Sequence, residues 1–266
     1  MISIFPIGLN MAIQDVWLPL FIKSSKREMD IPMLEDKIKE VQDRIQKALA
    51  NRKEEKITGR EVTILAVTKN HPASIVTDTL KAGLTHIGEN RVQEAMHKQE
   101  VLPPGGIWHL IGHLQTNKVK HAVEHFAIIE SVDSTKILEH IDKAAAAQNK
   151  VMDVLLQINE AREPQKSGFS PEEFRAVIPT LKNYTHIRVR GVMVIAQATD
   201  NVEETRPVFA AGYQDFVLLK KSLGSEDCNI LSMGMTHDYW IAVEEGANEV
   251  RVGSALYGAR DYSLKF

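Results

Sequence analysis

The sequence contains one cysteine, Cys228, so no disulfide can form within the chain. Such a chain suits a reducing compartment. The same scarcity excludes zinc or iron–sulfur centres held by several cysteines of this chain alone. Long apolar runs are missing too: no stretch reaches the roughly 18 residues of a membrane helix, so no membrane partner is expected. Neither sign of charge dominates. Lys and Arg number 32 against 35 Asp and Glu, a net charge of −3, which gives no support for nucleic acid as a partner. Several motifs are absent as well. No G-x-G-x-x-G follows the first candidate strand, Lys166-Ser167-Gly168 lacks the leading glycines of a P-loop, and no G-x-S-x-G occurs. His109 and His113 lie across a predicted strand end, and His121 and His125 have helical spacing without an apparent third ligand, so no metal site is expected.

What is present is an ordinary globular composition: 266 residues, 44% hydrophobic and 25% charged, enough to bury a sizeable core. Residues 1–22 are apolar but broken by Pro6, Gly8, Asn10, Gln14, Asp15 and Pro19. Lys23, Lys26 and Arg27 follow that run, whereas a secretory signal places its basic residues first. Residues 1–30 are expected to form a poorly ordered N-terminal extension, with Met29 an alternative start, and residues 31–266 a single domain. A cytoplasmic location is expected, with an organelle as the alternative that depends on residues 1–30.

Leu34, Ile38, Val41, Ile45 and Leu49 recur at intervals of 4, 3, 4 and 4, the apolar face of one helix. Short apolar segments then alternate with helix-like ones. The strands are predicted over residues 62–67, 84–87, 107–111, 127–129, 151–158, 187–194, 230–231 and 248–252. Helices are predicted over 72–82, 134–148, 171–181, 203–223 and 236–245, several opened by Ser or Pro and closed by Gly. Strand–helix alternation implies a parallel sheet. Eight units favour an α/β fold of the closed (β/α)8 TIM barrel type, preceded by an N-terminal helix, over an open doubly wound sheet.

Active sites of such barrels lie at the C-terminal ends of the strands. There the sequence sets Lys69 after strand one, Asn90 after strand two, His113 after strand three, Met193 in strand six, Ser232 and Gly234 in the seventh, and Arg251, Gly253 and Ser254 in and after the eighth. A half-buried Lys69 would lose solvation and offer a neutral amine able to attack an aldehyde; its position alone suits a surface lysine opening a loop better. Ser232, Gly234, Gly253 and Ser254 suit a phosphate site at the ends of strands seven and eight, and equally suit plain loop residues. Alternation points Arg251 away from Val250 and Val252 into the barrel. Its partner there is either a cofactor ring nitrogen or a barrel carboxylate such as Glu89.

Six runs then match one family in order: 66–69 (Ala-Val-Thr-Lys), 88–94 (Gly-Glu-Asn-Arg-Val-Gln-Glu), 108–118 (Trp-His-Leu-Ile-Gly-His-Leu-Gln-Thr-Asn-Lys), 191–193 (Gly-Val-Met), 231–238 (Leu-Ser-Met-Gly-Met-Thr-His-Asp) and 250–258 (Val-Arg-Val-Gly-Ser-Ala-Leu-Tyr-Gly). By these the chain resembles the pyridoxal phosphate homeostasis protein family, also called the YggS or PROSC family, over about residues 33–260. The resemblance implies a barrel like the N-terminal domain of alanine racemase, with pyridoxal 5'-phosphate as cofactor, linked to Lys69 as a Schiff base. It implies a phosphate held near Ser232, Gly234, Gly253 and Ser254, a pyridine nitrogen beside Arg251, and lining residues at Asn90 and His113. Thr68 and Thr236 stand where Ser is common, and Arg91 where an aromatic or aliphatic residue is common; none of these removes the lysine.

The alternative activity is a cofactor-dependent amino-acid racemase, which needs a base on each face of its substrate. In alanine racemases the second base is a Tyr from a separate domain of the partner subunit. Here only Tyr257 and Tyr262 offer themselves, and nothing in the sequence sets either opposite Lys69. The resemblance therefore implies a carrier in vitamin B6 homeostasis rather than an enzyme, expected to be a monomer, with apo forms of enzymes that use the cofactor as its partners.

Overall fold

The structure, a computed structural model, describes residues 31–163 and 167–259. The extension predicted over residues 1–30, and Tyr262, lie outside the described residues. The elements run α1 (Ile31–Ala50), β1 (Thr63–Val67), α2 (Ala73–Lys81), β2 (His86–Glu89), α3 (Val92–Val101), β3 (Ile107–Leu110), α4 (Val119–His125), β4 (Ile128–Val132), α5 (Thr135–Ala147), β5 (Met152–Ile158), α6 (Pro171–Val177), β6 (Ile187–Val194), α7 (Arg206–Leu223), β7 (Ile230–Met235), α8 (Tyr239–Glu245), β8 (Glu249–Val252) and α9 (Ser254–Tyr257). The eight strands are parallel and close into a barrel in chain order, with β1 pairing β8. The closed TIM barrel expected from the strand–helix alternation is therefore the fold.

Alternation along each strand sorts side chains between two cores. Ile64, Ala66, Val192, Val194, Val250 and Val252 face outward and join the layer between strands and helices. Ile128, Leu155 and Met193 form a separate buried cluster. That cluster forms the apolar part of the barrel interior, where side-chain layers pack in this fold. Helix α1 buries Leu34, Ile38, Val41, Ile45 and Leu49, the face its spacing predicts, and packs on α8 and α9.

Local chemistry sets the helix ends. Ser134 caps α5 by accepting a hydrogen bond from the Ile137 backbone N–H, and Ser170 with Glu173 makes a capping box at α6. Helix α7 stops at Gly224, whose φ of 60° is open to glycine at little cost. Several boundaries differ from the sequence reading. The helix predicted over 171–181 ends at Val177 and continues as a 3-10 turn over Ile178–Asn183, because Pro179 has no N–H to extend an α-helix. Helix α8 starts at Tyr239, not at residue 236; Asp238 instead accepts a hydrogen bond from the Met235 N–H and shapes the turn before it. Strands β4 and β7 run on through Glu130 and Ser232, polar residues that read as strand ends in a linear scan.

Gly191 sits just beyond a register shift between β5 and β6, with φ at +151°. A Cβ there would lie 1.7 Å from the Ile230 carbonyl oxygen. Gly191→Ala is therefore expected to separate β6 from β7 and cost more than about 4 kcal/mol. Gly224→Ala, where a Cβ meets nothing within 4 Å, should cost only about 1–2 kcal/mol for its left-handed backbone. Urea denaturation of the two variants measures the contrast; equal losses would contradict it.

Candidate functional site

Strand β1 ends at Val67 and delivers Thr68 and Lys69 to the C-terminal mouth of the barrel. Both neighbours of Lys69 are tied down. The buried Thr68 donates its hydroxyl to Glu89 Oε1 at 2.5 Å, and its carbonyl accepts from Lys98 Nζ at 2.8 Å. Asn70, at a φ of 58°, donates its N–H to Glu94 Oε1 at 2.6 Å. Lys98 is fully buried between Glu89 and Glu94, at 2.7 and 2.9 Å. A buried cation flanked by two carboxylates thus fixes the backbone around Lys69, whose half-buried amine donates to Asn90 Oδ1 at 3.2 Å. Burial pushes the Glu89 carboxyl up to about 7, against the lowering pull of Lys98.

Next to β1 in the barrel stands β8, in the register Leu65 to Arg251 and Ala66 to Val252. Gly253 follows and packs so closely on Val67 that a Cβ would come within 3.1 Å of the Val67 carbonyl oxygen. It opens the short helix α9, and its N–H and that of Ala255 both point to Thr236 Oγ1, at 3.4 Å each. Two amides and a hydroxyl therefore converge beside the strand that carries Lys69, with the half-buried Ser254 between the two amides in sequence. Gly234, at a φ of 87°, serves packing: a Cβ would lie 2.6 Å from Tyr239 Cα.

Beneath the mouth the barrel is polar. Arg251 donates to the Ser232 carbonyl and hydroxyl oxygens at 2.7 and 2.8 Å and to the Val194 carbonyl at 2.8 Å. Five N–H donors meet three acceptor contacts, so Arg251 keeps donors for a further group. Ser232 donates onward to Glu130 Oε2 at 2.7 Å, and Glu130 Oε1 lies 2.7 Å from His109 Nδ1. Burial raises the Glu130 carboxyl, while the nearby Arg251 holds it down.

The structure brings Lys69, Asn90, Gly253, Ser254 and Arg251 to one region and gives the other candidates different places. Ser232 is fully buried in the barrel with its hydroxyl committed to Arg251 and Glu130, so it positions Arg251. Met193 is buried in the inner cluster with Ile128 and Leu155. His113 is exposed, with Asp133 at 2.8 Å and Ser167 at 3.3 Å as its partners rather than any residue of the Lys69 cluster. Glu89 pairs with Lys98; the carboxylates beside Arg251 are Glu130, Glu249 and Asp238, which corrects the pairing of Arg251 with Glu89 considered from sequence. Sequence reading did not find Glu94, Lys98, Glu130 or Thr236 as parts of the site. The Glu94–Lys98 spacing of four and the lone charge inside Ile-Ile-Glu-Ser-Val were the available signals.

Comparison with known proteins follows this geometry. The family described as alanine racemase, N-terminal domain, matches residues 43–261. A pyridoxal phosphate homeostasis protein of Haemophilus influenzae is 38% identical over 214 residues, 79% of this chain and 90% of the relative. The chain belongs to the pyridoxal phosphate homeostasis protein family. A second member, from Escherichia coli, is 35% identical over 209 residues, covering 77% of this chain and 88% of its own. Among solved structures, PipY of Synechococcus elongatus with PLP bound superposes with a TM-score of 0.72 at 35% identity, over 85% of this chain and 100% of PipY. The alanine racemase of Clostridium difficile shares the fold alone, at 16% identity and a TM-score of 0.64, and is covered over 58% of its length.

The homeostasis-family site in this chain carries a pH signature. Glu89 has Oε1 shared by Lys98 and Thr68 and Oε2 buried without a partner. Its carboxyl is raised on folding, so the folded state binds the extra proton between about pH 4.5 and about 7. Stability from this group is complete at the acid end and is lost as pH rises through 7. Glu89→Gln removes the titration and keeps an acceptor for Lys98. The stability of Glu89→Gln relative to wild type should therefore climb by roughly 1–3 kcal/mol from pH 5 to pH 8 in urea titrations; a constant difference would refute this account of Glu89.

Proposed function

We propose that the chain binds pyridoxal 5'-phosphate at the C-terminal mouth of the barrel, with Lys69 as the covalent attachment point. It serves the intracellular homeostasis and carriage of that cofactor, as a monomer whose recipients are apo forms of enzymes that use it. One observation supports the reading: barrel closure brings the end of β1, which Lys69 follows, next to the end of the adjoining β8, where the Gly253 and Ala255 amides follow. The residues present fit the group. A primary amine, backbone N–H donors for an anion, and a guanidinium below the mouth match an aldehyde, a phosphate and a pyridine ring. When bound, pyridoxal phosphate supplies an aldehyde carbon that condenses reversibly with a primary amine.

Each residue then has a physical task. Lys98, Glu89 and Glu94 hold the backbone on either side of Lys69, and Asn90 orients its amine. The Gly253 and Ala255 amides and the Thr236 hydroxyl donate to the phosphate. Arg251, anchored by Ser232 and Val194, donates toward the ring nitrogen and disfavours a proton there, since a second positive charge beside it is costly. An unprotonated pyridine is a weak electron sink, which favours storage over chemistry at the amino-acid carbon. The racemase reading needs a second base. The Tyr257 hydroxyl is buried and hydrogen-bonded to Thr79 at 2.7 Å, and burial pushes its pKa up, so it keeps its proton.

Purified protein should show a visible absorbance band that borohydride fixes onto the peptide containing Lys69. Lys69→Ala should lose both the band and the labelled peptide; an unchanged adduct in that variant would sink the assignment. Amino-acid racemisation at enzymatic rates, abolished by the same substitution, would replace the carrier reading with the racemase one. Thr236→Val should weaken pyridoxal 5'-phosphate binding by about tenfold, the worth of one hydrogen bond to a charged group, and leave pyridoxal, which has no phosphate, unaffected. Equal weakening of the two ligands would remove Thr236 from the phosphate cradle.

A further inference from the structure

The N-terminal end of the barrel, opposite the mouth that bears Lys69, carries a second cluster built from three strands. His86 opens β2, His109 lies in β3 and Glu249 opens β8. His86 Nδ1 and His109 Nε2 stand 2.9 Å apart, Glu249 Oε2 is 3.9 Å from His109 Nδ1, and one ligand atom from each of the three residues lies within 4.8 Å of the others. His109 is fully buried, Glu249 nearly so, and His86 is half-buried. His86 and Glu249 line a cavity of about 490 Å³ that also touches Thr63, Ile230 and Asn248 and gives a path from outside.

We infer that His86, His109 and Glu249 form a binding site for one divalent transition-metal ion of the zinc class. Two features of the donor set support it. First, Glu249 Oε1 is buried without a hydrogen-bond partner, a costly state that a cation relieves. Second, His109 Nδ1 is 2.7 Å from Glu130, so the ring is oriented with Nε2 toward the cluster. That is the carboxylate–histidine arrangement which fixes the tautomer of metal-bound imidazoles. Two nitrogens and a carboxylate oxygen are a common set for zinc, with a fourth position left for water. Tetrahedral coordination at zinc–nitrogen distances of 2.0–2.1 Å sets the nitrogens about 3.3 Å apart, so the rings need shift only by tenths of an ångström. The neighbouring cations do not oppose the ion unpaired: Arg190 is held by Asp153 at 2.7 Å, Lys220 by Glu226 at 2.9 Å, and Arg251, beside Glu249, also faces Glu130 and Asp238. The inference does not depend on the site at the mouth.

A second histidine group, His121, Glu124 and His125 on α4, lies at the surface and serves as the control. The full chain, stripped with a chelator, would be titrated with zinc against a competing chromophoric chelator, and with cobalt(II) for its visible d–d bands. Wild type is expected to bind one equivalent tightly and to gain thermal stability with zinc. Glu249→Gln, close in shape and able to keep its hydrogen bond to Glu130, and His86→Ala should each weaken that equivalent by at least about a hundredfold and lose the cobalt bands. The pair His121→Ala with His125→Ala should retain both. Failure of wild type to bind zinc, an undiminished equivalent in Glu249→Gln, or loss of binding in the α4 double variant would each overturn the inference.

Discussion

Closure of the sheet between β1 and β8 is the constraint on which the rest depends. Residues 63–66 pair with 249–252, nearly two hundred positions later in the chain, and that pairing sets the Lys69 backbone beside the loop opened by Gly253. An open sheet of the same strands would leave the two at opposite edges. Gly253 lies against Val67 with little room for a side chain, so the backbone at the start of α9 approaches the strand that leads to Lys69 closely. The site is thus a property of the seam.

The interior of the barrel is unusually polar for a space sealed by eight strands. Burying charge is costly unless each group is paired and hydrogen-bonded. The structure meets that cost by linking the groups. Arg251 is held by Ser232, Ser232 by Glu130, Glu130 by His109 and His109 by His86. Glu249 adds a carboxyl hydrogen-bonded to Glu130 and raised to about 8 by burial and by that neighbour. The line runs from just beneath the mouth to the opposite end, so the guanidinium is positioned by groups far from any ligand at the rim. The triad of Lys98, Glu89 and Glu94 does the same beside Lys69. Rigid support of this kind suits a site that must present one amine and one anion cradle in fixed relation.

Cavity size does not find this site. A cavity of about 1000 Å³ lies on the outside of the barrel among Ile178, Leu181, Arg188 and Leu218, and none of the mouth residues lines it. The chemistry of the donors and their convergence support the mouth as the proposed site, and relatives of 35–38% identity share the family while racemases at 16% share only the barrel. Fold alone would not separate carrier from racemase.

Amino-acid order by itself determined the strand–helix alternation, the face of α1, the caps at Ser134 and Ser170, and the ends of β1, β5, β6 and β8. Those features depend on neighbours within a few positions, through periodicity and hydrogen bonds to the nearby backbone. It also pointed to Lys69, Asn90, Arg251 and Gly253, because barrel topology converts a strand end into a rim position. Only the tertiary structure decided that Ser232 turns inward to hold Arg251, that His113 stands apart with Asp133, that Lys98 is buried between Glu89 and Glu94, and that His86, His109 and Glu249 meet. Each of those choices joins residues on different strands or helices. Desolvation and pairing energies between such residues exist only once the barrel has closed, and no spacing along the chain encodes them.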